Sequence, residues 1–326
     1  FASRYPRGAE SLKRLDDLER RATELEVALA GDDSQAAEAA SGLARDAGQL
    51  RREALLDHPL LSFDRLLLVR RKANQLGLPQ NWQGNCALPR NGYDNQIAVL
   101  SPVRPEGGVS TLYQPPKDEF VGDVDLHFDA GKMLFSMPGP NGRWQVWELG
   151  ADGSPASLRQ VTADDPPDVD NYDACYLPDE RIIFASTRCF AGVPCVGGGN
   201  TVANLCITNP DGSGVRQLCF DQDHNWCPTV LNNGRVLYSR WEYSDLPHYF
   251  SRLLFHMNPD GTGQMEHYAS NSMWPNSIFY ARPIPNDPTK VIAVISGHHG
   301  VPRMGELVLF DPARGRREAD GVVQRI

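Results

Sequence analysis

The chain has 326 residues, of which 41% are hydrophobic and 22% charged, a composition typical of a globular protein with a large core and not of a disordered one. A formal net charge of −9 at pH 7 argues against a duplex nucleic-acid binder, which needs a basic surface to displace counterions. The sequence contains no apolar run of about eighteen residues or more, so it predicts no transmembrane segment.

Residues 1–58 carry the spacing of two helices. Apolar residues recur three or four positions apart, first at Leu15, Leu18, Ala22, Leu25 and Leu29 and then at Leu43, Ala47, Leu50 and Ala54. Residues 31–34 supply a helix-ending glycine and an N-cap between them, and His58-Pro59 ends the second helix. The pattern predicts an α-helical hairpin. We favour packing against the neighbouring domain over a dimerising coiled coil, because two short helices lack the heptads that a coiled coil needs.

From residue 60 the apolar period changes to two, and a turn followed by a strand recurs about every 50 residues. The clearest turns begin at Phe128, Leu177 and Leu231, with looser copies at Ile284 and Phe63. A second set of turns contains Asp-Gly, at 152–153, 211–212 and 260–261. Four strands per unit with such turns predict an all-β fold, a β-propeller, over residues 60–326. A solenoid fits less well because no capping repeat is present.

The predicted propeller has about five four-stranded blades. Their approximate bounds are residues 60–118, 119–165, 166–220, 221–270 and 271–326. Because the last unit stops at its fourth strand, we expect the ring to be completed by sequence outside residues 1–326.

Successive connections in a meander alternate between the two ends of the strands. The tight turns therefore share one end, the turn face, whereas the blade-to-blade connections and the long loops share the other, the long-loop face. Ionisable residues are concentrated in the sequence near the second group, where binding residues are commonly found. The candidate ligand-binding residues are Asp123, Asp125, His127, Asp170, Asp173, Asp221, Asp223, His224, His298 and His299.

Two interpretations of these residues are open. Carboxylates and imidazoles gathered at a channel mouth would bind a divalent cation or a cationic ligand, since oxygen ligands suit hard cations and histidine favours transition metals. Alternatively, each aspartate hydrogen-bonds the amides of its own turn, and the histidine pair 298–299 is solvated. Tryptophans in the same loops form an aromatic platform or, for Trp226 and Trp274, pack between blades.

The cysteines and the motif content limit the chemistry. Seven cysteines form no CxxC and no CxxCH, and Cys189 and Cys195 could form a disulfide in an oxidising compartment. No GxSxG, HExxH, Walker or dinucleotide motif is present. The sequence therefore predicts no catalytic residue and no cofactor other than a possible divalent cation.

Several stretches resemble a known family: residues 92–103 (GYDNQIAVLSPV), 121–139 (VGDVDLHFDAGKMLFSMPG), 168–179 (DVDNYDACYLPD), 219–243 and 304–326. Through them, residues 60–326 resemble the middle domain of the hydrazine synthase alpha subunit and similar secreted bacterial proteins. The resemblance implies a propeller and an exported, periplasmic or extracellular location. The family's namesake makes hydrazine from nitric oxide and ammonium with c-type haems and zinc. Covalent c-type haem needs CxxCH, so no haem or zinc ligand transfers to a residue of this chain.

Two functions follow as expectations. In the first, the chain is a scaffold or binding module that binds a partner protein domain or a small ligand on its long-loop face. In the alternative, it is a fragment of a haem-containing redox enzyme whose haem domain lies outside this sequence. The lack of a complete catalytic motif favours the first.

Overall fold

The computed structural model describes residues 5–30, 35–163, 166–243, 252–298 and 300–326. The predicted helix-ending glycine and N-cap, in residues 31–34, lie outside these ranges. The chain divides into two compact units, one of Phe1–Leu68 with Val99–Ser110 and the other of Val69–Ala98 with Thr111–Ile326. In the described residues no helix is long and apolar enough to cross a membrane.

The first unit contains the predicted helices, α1 (Gly8–Ala30) and α2 (Ala36–Leu56). Leu18 and Leu50, both members of the predicted apolar spacing, are buried. Ion pairs join the two helices, with Arg14 to Glu53 at 2.5 Å and Arg21 to Asp46 at 2.8 Å. These pairs are solvent-exposed and contribute little, so the apolar contact between the helices is the main stabilising interaction of the hairpin.

Five antiparallel groups of strands follow in chain order, which we call sheets 1 to 5, and most of the regular secondary structure is β. Sheets 4 and 5 are the two halves of one eight-stranded sheet. Sheet 1, which draws residues from both units, is β1 (Leu66–Arg70), β2 (Gln96–Ser101) and β3 (Gly108–Tyr113). It has three strands and not the predicted four, because residues 59–61, just before β1, form a 3-10 helix that begins with proline.

Each of the other four sheets has four strands. Sheet 2 is β4 (Gly122–Leu126), β5 (Lys132–Pro138), β6 (Trp144–Gly150) and β7 (Arg159–Gln160). Sheet 3 is β8 (Asn171–Tyr176), β9 (Ile182–Ser186), β10 (Asn204–Thr208) and β11 (Arg216–Gln217). Sheet 4 is β12 (Asn225–Val230), β13 (Val236–Trp241), β14 (Arg252–Met257) and β15 (Met265–Tyr268). Sheet 5 is β16 (Ser277–Pro283), β17 (Val291–Ser296), β18 (Glu306–Phe310) and β19 (Val322–Arg325).

The first strands of sheets 2 to 5 pack against one another in chain order, β4 on β8, β8 on β12 and β12 on β16. A parallel pairing of Arg252 with Ser277 also joins sheets 4 and 5. Apolar side chains fill the space between neighbouring sheets, with Phe184, Tyr238 and Ile278 fully buried. Burial on both faces explains why these strands are apolar over most of their length.

The first strands of sheets 2 to 5, which we call the inner strands, share a backbone irregularity. Each loses its regular pairing register near its middle, and each has there a non-glycine residue with φ between 50° and 54°: Asp123, Asp173, Cys227 and Tyr280. A β-bulge of this kind re-aims the side chain at the bulge. The sequence repeat therefore extends to the backbone conformation and places these four side chains at equivalent positions.

On the turn face, carboxylate and amide side chains bind the backbone of their own turns. Asp152, Asp211 and Asp260 each accept a hydrogen bond from the amide two residues later, at 2.9 to 3.0 Å. Asp129 and Asn233 do the same in the turns that follow the inner strands. These are the Asx turns expected of Asp and Asn, and they make the turn face a set of local structures.

Candidate binding site on the long-loop face

A segment of the loop between β1 and β2, residues 79–90, connects several sheets; we call it the crossing segment. Its backbone pairs with the last long loop, with Asn81 N donating to Val301 O and Arg303 N donating to Pro79 O, each at 3.0 Å. Its side chains reach two inner strands or their approaches, Asn85 to Asp123 at 2.5 Å and Arg90 to Asp170 at 3.3 Å. The crossing segment therefore ties sheets 2, 3 and 5 together at the long-loop face.

Gly84 allows this segment to approach sheet 3 closely. A Cβ atom at Gly84 would overlap the hydroxyl of Tyr172, which is fully buried in β8. Next to Gly84, the thiol of Cys86 lies 3.8 Å from the same hydroxyl. Burial raises the pKa of both Cys86 and Tyr172, so both are neutral at ordinary pH.

The bulge residues form an ionisable cluster with Arg303. Asp173 accepts a hydrogen bond from Cys227 N at 2.7 Å. Desolvation, and then the charge of Asp123, raise the pKa of Asp173 to about 6, against an opposing effect of Arg303. The Arg303 guanidinium donates to Gln83 O at 2.5 Å, and only 3% of the residue is exposed. Asp173 and Arg303 thus each bind a backbone group and influence one another electrostatically, at a place where a cation site was one of the two sequence interpretations.

Three other candidate aspartates form contacts that join strands. Asp125 accepts from Tyr176 N of the next sheet at 3.1 Å, and burial raises its pKa. Asp170 lies between Arg90 of the crossing segment and Trp144 N of the preceding sheet, which donates at 2.9 Å. Asp221 pairs with Arg240 of β13 at 2.8 Å. None of the three binds its own turn in these contacts, so the turn-capping alternative describes the turn face and not these residues.

His127 lies at the opposite end of β4 and is not brought together with the other candidates. Its ring contacts Asp129 at 2.7 Å and Glu180 at 2.9 Å, both on the turn face. Burial opposes protonation, but these two carboxylates outweigh it and raise the pKa of His127. His127 therefore belongs to a turn-face cluster with Lys132, which also binds Glu180.

Asp223 and His224 are buried, with 3% and 0% exposed. Desolvation raises the pKa of Asp223 to about 6. Burial, followed by the charges of Arg303 and Arg252, holds the pKa of His224 well below its usual range. The Nδ1 atom of His224 accepts from Ala203 N at 3.0 Å. In the described part of the chain, Asp223 Oδ1 and His224 Nε2 have no hydrogen-bond partner.

An aromatic stack surrounds His224. Its ring lies 4.5 Å from that of Trp226 and 6.4 Å from that of Trp241, in both cases nearly parallel. The guanidinium of Arg303 lies 4.5 Å from the Trp226 ring, and that of Arg252 lies 4.5 Å from the Trp241 ring. Stacked guanidiniums and indoles attract one another, so the tryptophans hold two positive charges beside the imidazole. Trp226 is thus a packing residue, as one of the two sequence interpretations proposed.

The remaining candidates are the histidine pair 298–299, a metal site and the cysteine pair 189 and 195. His298 O accepts from Arg252 at 3.3 Å, whereas His299 lies outside the described residues. Across the described ranges, no group of three histidine, cysteine, aspartate or glutamate side chains could hold a metal ion. Cys189 is a free thiol and donates to Val202 O at 3.3 Å, so it does not form the disulfide with Cys195 that the sequence allowed.

Sequence reasoning missed part of this site. Cys227 and Tyr280 occupy the same place in the repeat as Asp173, four residues before the following turn, so the repeat alignment could have found them. Arg303 and Asn85 had no such signal, because each comes from a long loop without a repeated pattern. Their positions depend on contacts between residues more than 30 positions apart.

The sequence matches no protein-family profile and no curated protein. Among solved structures, hydrazine synthase of Kuenenia stuttgartiensis is similar with a TM-score of 0.61 and 17% identity, over 76% of this chain and 37% of that chain. A putative TolB from Agrobacterium tumefaciens has a TM-score of 0.51 and 14% identity, over 81% of this chain and 90% of that one. A gluconolactonase from Xanthomonas campestris has a TM-score of 0.43 and 13% identity, over 66% and 65%.

These neighbours are β-propellers, and the first two likenesses support the propeller class for this chain. The predicted resemblance to hydrazine synthase is confirmed as a likeness of fold. The chain spans 37% of the hydrazine synthase chain, so the activity of that whole protein is not shown for it.

Proposed function

We propose that the chain is a propeller-type binding module that binds a small ligand or a partner domain on its long-loop face. The observation that carries the proposal is a set of buried polar atoms beside the aromatic stack that have no partner among the described residues: Asp223 Oδ1, His224 Nε2 and Trp226 Nε1. Buried polar groups in native proteins are nearly always hydrogen-bonded, and leaving one unpaired costs about 1 to 3 kcal/mol. A polar ligand that binds all three would recover that cost.

The surrounding structure supports binding here. The crossing segment and the pairing between sheets hold the loops that carry these atoms, so the site would be largely preformed. Binding sites commonly combine apolar walls with a few placed polar groups, and here Trp226 and Phe279 supply the walls. Export to the periplasm or beyond belongs to the same proposal and is supported by the family resemblance alone.

A thermal-unfolding screen tests the binding function. The full chain is unfolded in the presence of organic acids, amino acids, neutral sugars, amines and nucleotides, and a ligand that binds the folded state raises Tm. A hit is then repeated with Trp226→Phe, which removes one indole N–H beside His224. We expect the increase in Tm to fall in this variant.

Trp144→Phe is the matched control. Trp144 is fully buried, and its Nε1 also lacks a partner in the described residues, but it lies in β6 beside Arg90 and not beside His224. Loss of the hit in both variants, or in neither, would contradict binding at this site. The second interpretation, a fragment of a haem enzyme, requires a CxxCH outside residues 1–326, and no contact among the described residues favours it.

A further inference from the structure

The indole N–H of Trp226 and two neighbouring N–H donors lack hydrogen-bond acceptors among the described residues. They are Trp226 Nε1, His224 Nε2 and Arg303 Nε, none of which has a partner in the part of the chain that the structure describes. The His224 ring and the Arg303 guanidinium each lie 4.5 Å from the Trp226 ring. All three residues are at least 97% buried, so bulk water does not replace the missing acceptors.

The hydrogen bond to Ala203 fixes the role of His224. Because Nδ1 accepts from a backbone N–H, the neutral ring carries its proton on Nε2, which is then a donor. Burial, and then the charges of Arg303 and Arg252, lower the pKa of the ring and keep it neutral. An imidazole in this state cannot offer Nε2 to a metal ion without losing the proton, so the site differs from the predicted cation site.

Two guanidiniums lie beside these donors, Arg303 over Trp226 and Arg252 over Trp241. Asp173 acts on Arg303 electrostatically, but it accepts its hydrogen bond from Cys227 N and forms no ion pair with Arg303 in the described residues. Desolvated donors without acceptors, beside two guanidiniums, match a group that has only acceptors and a negative charge.

We propose that His224, Trp226 and Arg303 bind an oxyanion group of the ligand, a carboxylate or a tetrahedral phosphate or sulfate. The proposal rests on the binding function above and names the chemistry of its ligand. The oxygens of the anion would together accept the three N–H groups, and the anion would offset the guanidinium charge.

Indole N–H resonances of the full-length, ¹⁵N-labelled protein test this directly, since the chain has six tryptophans and each indole gives one resonance. The protein is titrated separately with sodium acetate, phosphate and sulfate at constant ionic strength, with chloride as the balancing salt. Resonances are assigned from Trp226→Phe and Trp144→Phe. We expect a saturable shift of the Trp226 resonance with at least one oxyanion. The acetate and phosphate arms distinguish a planar from a tetrahedral group.

The Trp144 resonance is the internal control. Arg90, the cation beside Trp144, is neutralised by Asp170, so that indole should not respond. Arg303→Lys keeps the charge but removes Nε, and we expect it to weaken binding by about tenfold, the effect of one lost hydrogen bond of roughly 1.4 kcal/mol. No shift of Trp226 up to 100 mM, or equal linear shifts of Trp226 and Trp144, would overturn the proposal. If a neutral or cationic hit from the thermal screen shifts Trp226 while oxyanions do not, the binding function stands and the oxyanion class is wrong.

Discussion

Aspartates in the turns of the turn face and aspartates in the inner strands have different partners and opposite pKa shifts. On the turn face, Asp211 and Asp260 are exposed and bind their own turns, and those hydrogen bonds lower the pKa of each. In the inner strands β4 and β8, Asp125 and Asp173 accept from the backbone of the next sheet, and burial raises the pKa of each. The Asx turns are therefore local contacts, whereas these two strand aspartates join neighbouring sheets.

This difference has a functional consequence. An Asx turn satisfies its own polar groups, so these turns need no ligand. The long-loop face assembles groups from separate sheets, and among the described residues it leaves donors such as Trp226 Nε1 without acceptors. Binding sites commonly form where several loops meet on a rigid scaffold, as the crossing segment and the last long loop do on this face.

The largest difference between the faces should be in the free energy of unfolding that is lost when one arginine is removed from each face. Arg303→Met removes a buried guanidinium that binds Gln83 O and packs on Trp226 and Phe279. We expect the free energy of unfolding to fall by about 3 to 5 kcal/mol, because buried partners lose their counter-charge and hydrogen bonds. Urea unfolding followed by circular dichroism measures the loss.

The matched control on the turn face is Arg181→Met. Arg181 pairs with Asp179 two residues away, and both side chains are about one third to one half exposed. Exposed pairs contribute at most about 1 kcal/mol, so the loss should be small. Equal losses for the two variants would contradict the contrast between a local and a non-local face.

We expect a smaller difference in stability between two glycine-to-alanine variants, one on each face. A Cβ atom in Gly84→Ala meets the buried Tyr172 hydroxyl, so the crossing segment must shift, which should cost about 1 to 3 kcal/mol. Gly234→Ala on the turn face is the control, because Gly234 has a φ of +81° and no atom within 4 Å of the added Cβ. Its cost is the backbone conformation alone, roughly 1 kcal/mol.

Amide hydrogen exchange separates these two glycine variants further. Gly84→Ala should speed exchange at Asn81 and Arg303, whose amides pair the crossing segment with the last long loop. Gly234→Ala should leave both amides unchanged. Faster exchange confined to residues near Gly84, with no effect at Arg303, would mean that the segment does not tie the sheets together.

The repeat and the strand order were predictable because their determinants are local. Apolar alternation and the Asx turns at Asp152, Asp211 and Asp260 are written in neighbouring residues, and the structure has a strand pair around each. His127 shows the limit of that approach. The start and the end of a short inner strand are only a few residues apart in sequence, so His127 was grouped with Asp123 although it lies at the other end of β4.

The binding site was less predictable for a physical reason. Its charge is set by Arg303 and Arg252, which come from different sheets and reach His224 only after the sheets pack. From the sequence, aspartates and histidines near a channel mouth left a cation site and turn capping as alternatives. In the structure these aspartates contact neighbouring strands and two guanidiniums lie beside the imidazole, and the oxyanion proposal is based on that arrangement.

The smallest predicted effect is on how the free energy of unfolding depends on pH. Asp173 and Asp211 should change that dependence in opposite directions. The pKa of Asp173 is raised from 3.8 to about 6, so its contribution to stability is fully present below pH 3.8 and is lost as the pH rises through 6. Asp173→Asn keeps the acceptor for Cys227 N and removes the buried charge. We expect it to increase the free energy of unfolding at pH 7 by an amount on the order of 1 kcal/mol, with little change at pH 4.

Asp211→Asn on the turn face is the comparison. The pKa of Asp211 is lowered by hydrogen bonds to Ser213, so its contribution is present above the usual pKa and is lost as the pH falls through the lowered value. This variant should leave the slope of stability between pH 5 and 7 unchanged and reduce the loss of stability in acid. Urea unfolding at half-unit pH steps measures both slopes. A wild-type slope between pH 5 and 7 that Asp173→Asn does not reduce would mean that the long-loop face does not hold Asp173 in a desolvated, proton-binding state.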